Sequence, residues 1–308
     1  MADTPEVRHT LGEVAARQRA NTTKTVPQMK EITPRWLVSF LPWTPVEAGT
    51  YRVNRVVAEH PEAPADVTCG TREEVDLPET FVNYDEKPRE YTLCAVTTVL
   101  DVQTRVSDLY RSPYDQIREQ LRLLIELVKE RQEKEIINNA DYGLLHNVAP
   151  EQHVKTRTGA PTPDDLDELI ARVWKEPAFF LAHPRAIAAF GRECTRRGVP
   201  PPTVTLFGSP FLTWRGIPLI PTDKLAVKNG KTNILLLRTG EKKQGVIGLF
   251  QPGLVGEVSP GLSVRFMGIN RKAIASYLIS LYCSAAVLTE DAIGVLENVH
   301  VETYHEYK

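Results

Sequence analysis

Two sets of side chains in this sequence are of the types that catalysis or metal binding would use. His183 and Cys194 lie eleven residues apart across a predicted helix start, and a thiol beside an imidazole is a common nucleophile. The same residues fit a structural interpretation, in which Cys194 lies on the apolar face of the helix and His183 precedes Pro184. The sequence favours the structural interpretation, and an enzyme built around this pair stays an alternative.

The second set is acidic and occupies the start of another predicted helix. Clustered carboxylates can bind a hard cation such as Ca²⁺. Acidic side chains in a first helical turn are also stabilised by the positive end of the helix dipole, without any metal. We therefore expect no metal site from this cluster, which consists of Asp164, Asp165, Asp167 and Glu168.

No catalytic motif accompanies these residues. The chain lacks the GxGxxG, GxxxxGKS/T, HExxH and GxSxG patterns, and its seven histidines show no ligand spacing. The paired Lys242 and Lys243 fall in a predicted loop. The four cysteines are far apart and form no CxxC pair, so we expect neither a zinc site nor a disulfide framework, and a reducing compartment fits. We predict that the protein is not an enzyme and binds no cofactor or metal.

Composition and charge narrow the classes of partner. The 308-residue chain is 42% hydrophobic and 25% charged, which is typical of globular proteins, and its formal net charge of −2 lacks the basic excess of nucleic-acid binders. The N-terminal MADTPEVRHT has no apolar core of a signal peptide. The uncharged residues 273–289 alternate between apolar side chains and serines, which predicts a long strand rather than a membrane helix. We expect neither a nucleic acid nor a membrane as partner.

The longest regular pattern is the charged, amphipathic run over residues 112–139. Ser112 can cap its start, so we predict one long helix over residues 113–139. Its apolar side chains form one stripe, on Ile117, Leu121, Leu124 and Val128. Glu130 and Lys134 are one turn apart and can pair. Such a helix either lies across a single core or runs along an elongated subunit.

Residues 1–50 do not resemble the start of a compact domain. Proline recurs through the aromatic segment and favours extended backbone there, at Pro34, Pro42 and Pro45. Exposed aromatic side chains are unfavourable, so those of this segment must be buried against something. They either dock on the chain's own core or contact a neighbouring subunit, and they are Trp36, Phe40 and Trp43.

Residues 51–109 predict a two-stranded ribbon. An outgoing strand alternates through Tyr51, Val53, Arg55 and Val57, and a long returning strand rich in threonine and valine covers residues 89–109. A two-stranded ribbon has too little core to be stable alone in water. It should therefore pack on something outside its own sequence neighbourhood.

Residues 142–260 combine helices with short strands. Thr162 caps a helix whose predicted buried face comprises Leu166, Leu169, Ile170, Val173 and Trp174. A second helix begins at Pro184 and stops at Gly198, a residue type that commonly ends helices. Short strands follow, and the chain closes with LSVRFMG, the strand at 273–289 and TEDAIGVLENV.

This order of arm, ribbon, long helix, mixed lobe and closing strand resembles the α+β major capsid protein fold of tailed phages, the Hong Kong 97-like fold. Encapsulin shell proteins share that fold. Several stretches closely resemble the family 2 encapsulin shell proteins, in the subgroup that packages a cysteine desulfurase, and together the resemblance covers nearly the whole chain. They are VAARQRANTTKTVPQMKEITPRWLVSFLPWTPVEAGTYRVN, DQIREQLRLLIELVKERQE, GAPTPDDLDELIARVWKEPAFFLAHPRAIAAFGRECTRRGVPP and GLSVRFMGINRKAIASYLISLYC.

The resemblance implies a division of the chain into four parts. The length of the extended loop supports the desulfurase-packaging subgroup. The other subgroup carries a cyclic-nucleotide-binding domain in this loop, and the loop here is too short to hold one. The implied parts are an N-arm at 1–50, an extended loop at 51–91, a P-domain at 92–141 and 261–308 that contains the spine helix 113–139, and an A-domain at 142–260.

The resemblance also implies a function, a self-assembling icosahedral shell in the bacterial cytoplasm around a cysteine desulfurase. The shell would be a large homo-oligomer without a cofactor, and the cargo would carry pyridoxal phosphate. A prophage-type capsid and, less well supported, a soluble enzyme are the alternatives.

In shells of this fold, the loop after the second A-domain helix approaches the fivefold axis. By position this pore loop is Arg196, Arg197, Gly198, Val199 and Pro200. Two arginines at a constriction would favour anions, or they complement the dipole of the helix that they end.

Overall fold

The computed structural model confirms the predicted α+β class within the residues that it describes. In the described residues, two larger sheets carry most of the strands, and four α-helices pack with them. The described residues are Val14, 32–47, 49–54, 56–57, 83–84, 86–106 and 116–305.

The helices of the described residues are short except for one. Two 3₁₀ turns, Pro150–Gln152 and Glu290–Ala292, lie between strands. The α-helices are α1 (Trp36–Phe40), α2 (Gln116–Asn138), α3 (Pro163–Arg172) and α4 (Pro184–Arg196).

Seventeen strands occur in the described residues. In chain order they are β1 (Trp43–Pro45), β2 (Thr50–Val53), β3 (Val56–Val57), β4 (Asn83–Tyr84), β5 (Arg89–Thr92), β6 (Cys94–Arg105), β7 (His153–Lys155), β8 (Phe179–Ala182), β9 (Thr203–Leu206), β10 (Ser209–Trp214), β11 (Ile217–Pro221), β12 (Lys231–Leu237), β13 (Val246–Phe250), β14 (Glu257–Ser259), β15 (Leu262–Ile269), β16 (Ile274–Val287) and β17 (Ile293–His300).

The first sheet is built on β16. This strand pairs antiparallel with β6, β13 and β15, while β1 pairs parallel with β13 and β14 pairs antiparallel with β15. The strand predicted over residues 273–289 is thus confirmed. Its backbone groups are satisfied by neighbouring strands on both edges, and no helix among the described residues has the length and apolarity to cross a bilayer.

The predicted ribbon is confirmed for its outgoing strand and for residues 89–92 of its returning strand, whereas residues 94–105 of the returning strand form β6 and pair with β16 in the first sheet. β2 pairs antiparallel with β5, and β3 pairs antiparallel with β4. Its base packs on the first sheet, because the hydroxyl of Tyr91 donates to the Val287 carbonyl at 2.7 Å. Arg55, residues 58–82 and residues 107–109 of the predicted strands and loop lie outside the described residues.

The long helix α2 matches the predicted spine helix, whose residues 113–115 lie outside the described part. Val128 on its stripe is buried against the first sheet, and the partly buried Leu121 and Leu124 pack against the same cluster. Further along, Ile136 and Ile137 are fully buried in a different cluster, which also contains residues of the second sheet. The helix therefore spans two hydrophobic clusters rather than lying across one.

The second sheet has the strand order β7-β17-β12-β8-β11-β10-β9, and α3 and α4 contribute to the cluster beside it. The predicted cap of α3 is present, because Thr162 and Asp165 form a reciprocal capping box. Leu166, Leu169 and Val173 are fully buried as predicted. The prediction for Trp174 is wrong, since its side chain is 69% exposed. Helix α3 ends at Arg172, so the helical spacing no longer applies at residue 174.

The two sheets divide the chain differently from the predicted segments. β17, from the segment 261–308, lies between β7 and β12 in the second sheet, whereas β13, from the segment 142–260, lies in the first sheet. The chain thus crosses between the sheets after β12 and again after β16.

A buried guanidinium joins these two crossings. Arg238, 1% exposed, follows β12 and donates to both carboxylate oxygens of Asp291 at 2.7 and 3.2 Å. It also donates to the Thr289 hydroxyl at 2.7 Å. The hydrogen bonds from Arg238 lower the pKa of the Asp291 carboxyl by more than burial raises it. The pKa of that carboxyl therefore lies well below its usual range.

Asp291→Asn should destabilise the protein by about 3 kcal/mol at pH 7, because it leaves a buried guanidinium without its counter-charge. Since the pKa of Asp291 is lowered in the folded state, its stabilisation is present above the ordinary pKa of 3.8 and is lost as the pH falls through the lowered value. The gap between wild-type and variant melting temperatures should therefore hold from pH 8 to pH 5. Glu176→Gln, in an exposed pair with Lys243, is the control and should shift the melting temperature little. Equal shifts in both variants would contradict this role of Asp291.

Candidate functional site

The N-terminal arm is anchored on Glu130 of α2. The backbone N–H of Thr33 donates to this carboxylate at 2.8 Å, and its hydroxyl donates at 2.9 Å. Arg35 and Lys224 pair with the same group at 3.1 and 2.8 Å. Burial raises the pKa of Glu130, but the hydrogen bonds from Lys224 and Thr33 together lower it by more, so the pKa of this carboxyl lies below its ordinary value. The predicted pairing with Lys134 is replaced by these partners from distant segments.

The arm forms a short helix between its prolines. Residues 36–40 are helical, so the prediction of extended backbone is wrong there. Pro34 and Pro42 bracket the helix and leave room for little more than one turn. Beyond Pro42 the backbone is extended as predicted, and β1 pairs with β13.

Two of the predicted arm contacts belong to an aromatic cluster on the second sheet. The Trp36 ring lies 5.2 Å from that of Phe211, edge to face. The Phe40 ring lies 5.4 Å from Phe179 and 5.0 Å from Phe207, which is itself 67% exposed. These contacts bring the arm onto the chain's own core.

Trp43, the third predicted arm contact, packs on the first sheet. Its indole N–H donates to the Val38 carbonyl at 2.9 Å. Its ring covers Gly248, where a Cβ would lie only 2.6 Å from the ring. The described residues thus match the interpretation of docking on the chain's own core. Trp36, Phe40 and Trp43 each keep partial exposure, and contact with a neighbouring subunit stays a prediction.

The predicted pore loop forms one exposed turn at the end of α4. Arg196 is the last residue of the helix, and Gly198 has a positive φ of 71°, which suits its predicted place as the helix-ending glycine. Val199 and Pro200 follow and are exposed.

Both arginines of this loop are paired with acidic side chains. Arg196 donates to Glu193 at 2.8 Å, and Arg197 lies 3.5 Å from Asp164 and 3.7 Å from Glu193. His305 also contacts Glu193 at 2.6 Å. The carboxylates offset part of the positive charge, so the loop is less cationic than its two arginines suggest.

The candidate nucleophile and its partner face different surroundings. Cys194 is fully buried in the cluster of the second sheet, and burial raises the pKa of its thiol to about 11. His183 instead accepts a hydrogen bond from the backbone N–H of Arg185 at 3.1 Å, capping α4. Neither observation fits a thiol activated by an imidazole, which supports the structural interpretation.

The acidic cluster binds protein groups. Asp165 accepts from Thr162 at 2.7 Å, and Asp167 accepts from the Trp214 indole at 2.7 Å and from Arg215. Among the described residues, no group of three or more His, Cys, Asp and Glu side chains is placed to hold a metal ion. Lys243 lies in an exposed loop as predicted and pairs with Glu176.

Sequence reasoning missed an apolar surface along the outer part of β15. The pairing of β15 with β14 ends at Ser263. Beyond that residue, no strand among the described residues pairs with the outer edge of β15. The exposed apolar side chains on and beside this edge are Val255, Val258, Phe266, Met267 and Ile269. The sequence RFMGI did carry a signal for this surface. A strand with one solvated face alternates apolar and polar side chains, whereas RFMGI has apolar side chains on both faces.

Gly248→Ala should loosen the arm, because the new methyl group occupies the space of the Trp43 ring. We expect faster tryptic cleavage after Arg35 in the purified variant than in the wild-type protein. The control is Gly191→Ala in α4, where a Cβ meets nothing within 4 Å and alanine is the better helix former by about 1 kcal/mol. Equal cleavage rates for the two variants would show that Trp43 does not hold the arm.

Comparison with known proteins identifies relatives along nearly the whole chain. The family model described as "Type 2A encapsulin shell protein SrpI-like" matches residues 50–303. A Type 2A encapsulin shell protein SrpI from Synechococcus elongatus is 70% identical over 298 residues, which cover 97% of this chain and 96% of that protein. A Type 2A encapsulin shell protein from Mycolicibacterium paratuberculosis is 64% identical over 299 residues, with 97% of each chain covered.

Solved structures agree with the sequence comparison. The cryo-EM structure of the holo-SrpI encapsulin complex from Synechococcus elongatus superposes with a TM-score of 0.82 at 66% identity, covering 97% of this chain and 99% of that one. The capsid of an empty GTA particle superposes with a TM-score of 0.64 at 13% identity, covering 94% and 100% of the two chains, and so shares the fold alone. The predicted phage-capsid fold is thereby confirmed. The chain belongs to the SrpI-like family of Type 2A encapsulin shell proteins, which are structural proteins rather than enzymes.

Proposed function

We propose that the shell built by this chain is icosahedral, lies in the bacterial cytoplasm and encloses a cysteine desulfurase. The observation that carries the proposal is the likeness to a holo encapsulin complex at 66% identity, because a holo shell is one that holds its cargo. The short extended loop is a second support. Residues 51–91 are too few for the cyclic-nucleotide-binding domain of the other subgroup, since domains commonly need about 50 residues or more.

The surfaces of the subunit fit assembly with other copies. The outer edge of β15 combines exposed Phe266, Met267 and Ile269 with a strand edge that lacks a partner among the described residues. Exposed edges of this kind pair readily with another chain. Closed symmetry allows each such surface to meet its partner on a sister copy.

The chemistry in this proposal belongs to the cargo. Pyridoxal phosphate would be bound by the desulfurase, and the shell would hold neither that cofactor nor nucleic acid. The two candidate chemical groups of the shell support this division, because Cys194 is buried and the acidic side chains bind protein partners.

We propose that the loop of Arg196, Arg197, Gly198, Val199 and Pro200 lines a pore through which small molecules reach the cargo. Its exposure supports this role. Glu193 and Asp164 would offset part of the positive charge of the two arginines, so that the pore would select anions only modestly.

Purification of the particle from its host should yield a co-purifying pyridoxal-phosphate enzyme that releases sulfur from cysteine. Mass spectrometry of the disassembled particle identifies the cargo, and its absorption spectrum reports the cofactor. Nuclease treatment and phosphate analysis test the interior for nucleic acid. A particle that holds nucleic acid and no such enzyme would contradict the proposed cargo.

Arg197→Glu should slow cargo turnover in intact particles at least about twofold for an anionic permeant, because a charge reversal on every copy changes the potential at the constriction. Turnover in opened particles should be unchanged. Lys242→Glu makes the same charge change in an exposed turn outside the loop and serves as the control. A pore role is excluded if Arg197→Glu affects intact and opened particles alike.

A further inference from the structure

Two cysteines that are distant in sequence lie directly opposite each other in the first sheet. Cys94 is the first residue of β6, and its partner in the antiparallel ladder with β16 is Cys283. Both are free thiols. Directly opposed residues of an antiparallel pair share one face of the sheet, with Cα atoms about 4.5–5.5 Å apart. Disulfides span Cα separations of about 4.4–6.8 Å, so the backbone places this pair within range.

The two thiols differ in access to solvent. Cys283 is fully buried beside Val128 of the spine helix and Ile279. Cys94 is only partly buried at the start of its strand. A dissolved oxidant would therefore meet Cys94 first and leave Cys283 as the second, resolving thiol.

The pair lies among other titratable side chains. Burial raises the pKa of Cys283 to about 12, and the neighbouring Cys94 contributes to that rise. Burial, and after it the two neighbouring cysteines, raises the pKa of the Tyr142 hydroxyl. The three groups occupy one corner, where α2, β6 and β16 meet.

The position of Cys94 matters because it lies at the base of the ribbon. Strand β5 ends at Thr92, and the N–H of Leu93 donates to the Gly49 carbonyl at 3.1 Å. A covalent bond from Cys94 to Cys283 would join this base to the central strand of the sheet, which already pairs with β13 at Cys283.

We propose that Cys94 and Cys283 form a reversible disulfide when the shell meets a peroxide, and that this bond locks the base of the ribbon to β16. In the first step the Cys94 sulfur attacks hydrogen peroxide, the O–O bond breaks, and a sulfenic acid and one water form. In the second step the Cys283 sulfur attacks the sulfenic sulfur, the thiol proton leaves with the hydroxyl, and a second water forms. The two thiols together lose two electrons and two protons, which the peroxide takes up.

Burial, the neighbouring Cys94 and the Glu135 carboxylate of α2 all disfavour the thiolate of Cys283, which should slow the second step. Attack requires the thiolate, and at a pKa of about 12 its fraction rises tenfold for each unit of pH in the neutral range. Disulfide closure should therefore accelerate with pH. The pair would record sustained rather than brief exposure to peroxide.

The test uses assembled wild-type particles treated with hydrogen peroxide. Peptide mapping by mass spectrometry without reduction should find a Cys94–Cys283 linked peptide, which dithiothreitol removes. Cys94→Ser should abolish the link, whereas Cys194→Ser, which changes a buried cysteine in the other sheet's cluster, should leave it intact. Cys94 further oxidised to the sulfinic acid, or linked to Cys69, while Cys283 stays a thiol, would overturn the proposal.

A second measurement tests the lock. Peroxide should raise the urea midpoint of wild-type particles and have no such effect on Cys94→Ser, and dithiothreitol should reverse the rise. Cys283→Ala gives an independent variant in which the resolving thiol is missing. The same rise in wild type and Cys94→Ser would show that peroxide acts elsewhere in the chain.

Discussion

The pairing of β16 along both edges is the constraint on which the rest of the subunit depends. Its fourteen residues carry β6 and β13 as well as β15, so the ribbon, the arm and the outer edge of the sheet all meet on one strand. A strand in this position must also bury its faces. The stripe of α2 covers Ile279 and Leu281, while Tyr91 at the base of the ribbon packs near Ala286. Each of these burials stabilises by about 25 cal/mol per Å² of apolar surface.

Charged side chains hold the places where distant segments cross. Glu130 joins the arm, the spine helix and the segment of Lys224, and Arg238 joins the two crossings between the sheets through Asp291. Such groups are unfavourable when buried alone, and their partners make the crossing geometry specific. Loss of one partner therefore costs more than loss of an exposed pair, because the remaining charge cannot return to water.

The function follows from surfaces rather than from a reactive centre. Cys194 is buried and the acidic side chains at the start of α3 bind protein groups, while apolar groups are exposed at the outer edge of β15 and at Phe207. This distribution suits a protein that works by contact with its own copies.

Elements with a local cause could be predicted from the sequence. The spacing of apolar residues determined α2, the cap at Thr162 and the sequence after it determined the start of α3, and the alternation of residues 273–289 determined β16. The five residues of the loop after α4 lie together because they are consecutive, so their grouping also needed no structure. The resemblance to encapsulins rested on whole stretches of sequence and predicted the family.

Contacts between distant segments were decided only by the tertiary structure. Nothing near Glu130 in sequence indicates that Thr33, 97 residues away, is its partner in place of Lys134. The exposure of Trp174, the place of β17 in the second sheet and the opposition of Cys94 and Cys283 likewise depend on which surfaces meet after folding. Local pattern specifies what each segment becomes and which face is apolar, whereas its partner is chosen by burial and charge compensation summed over the whole molecule.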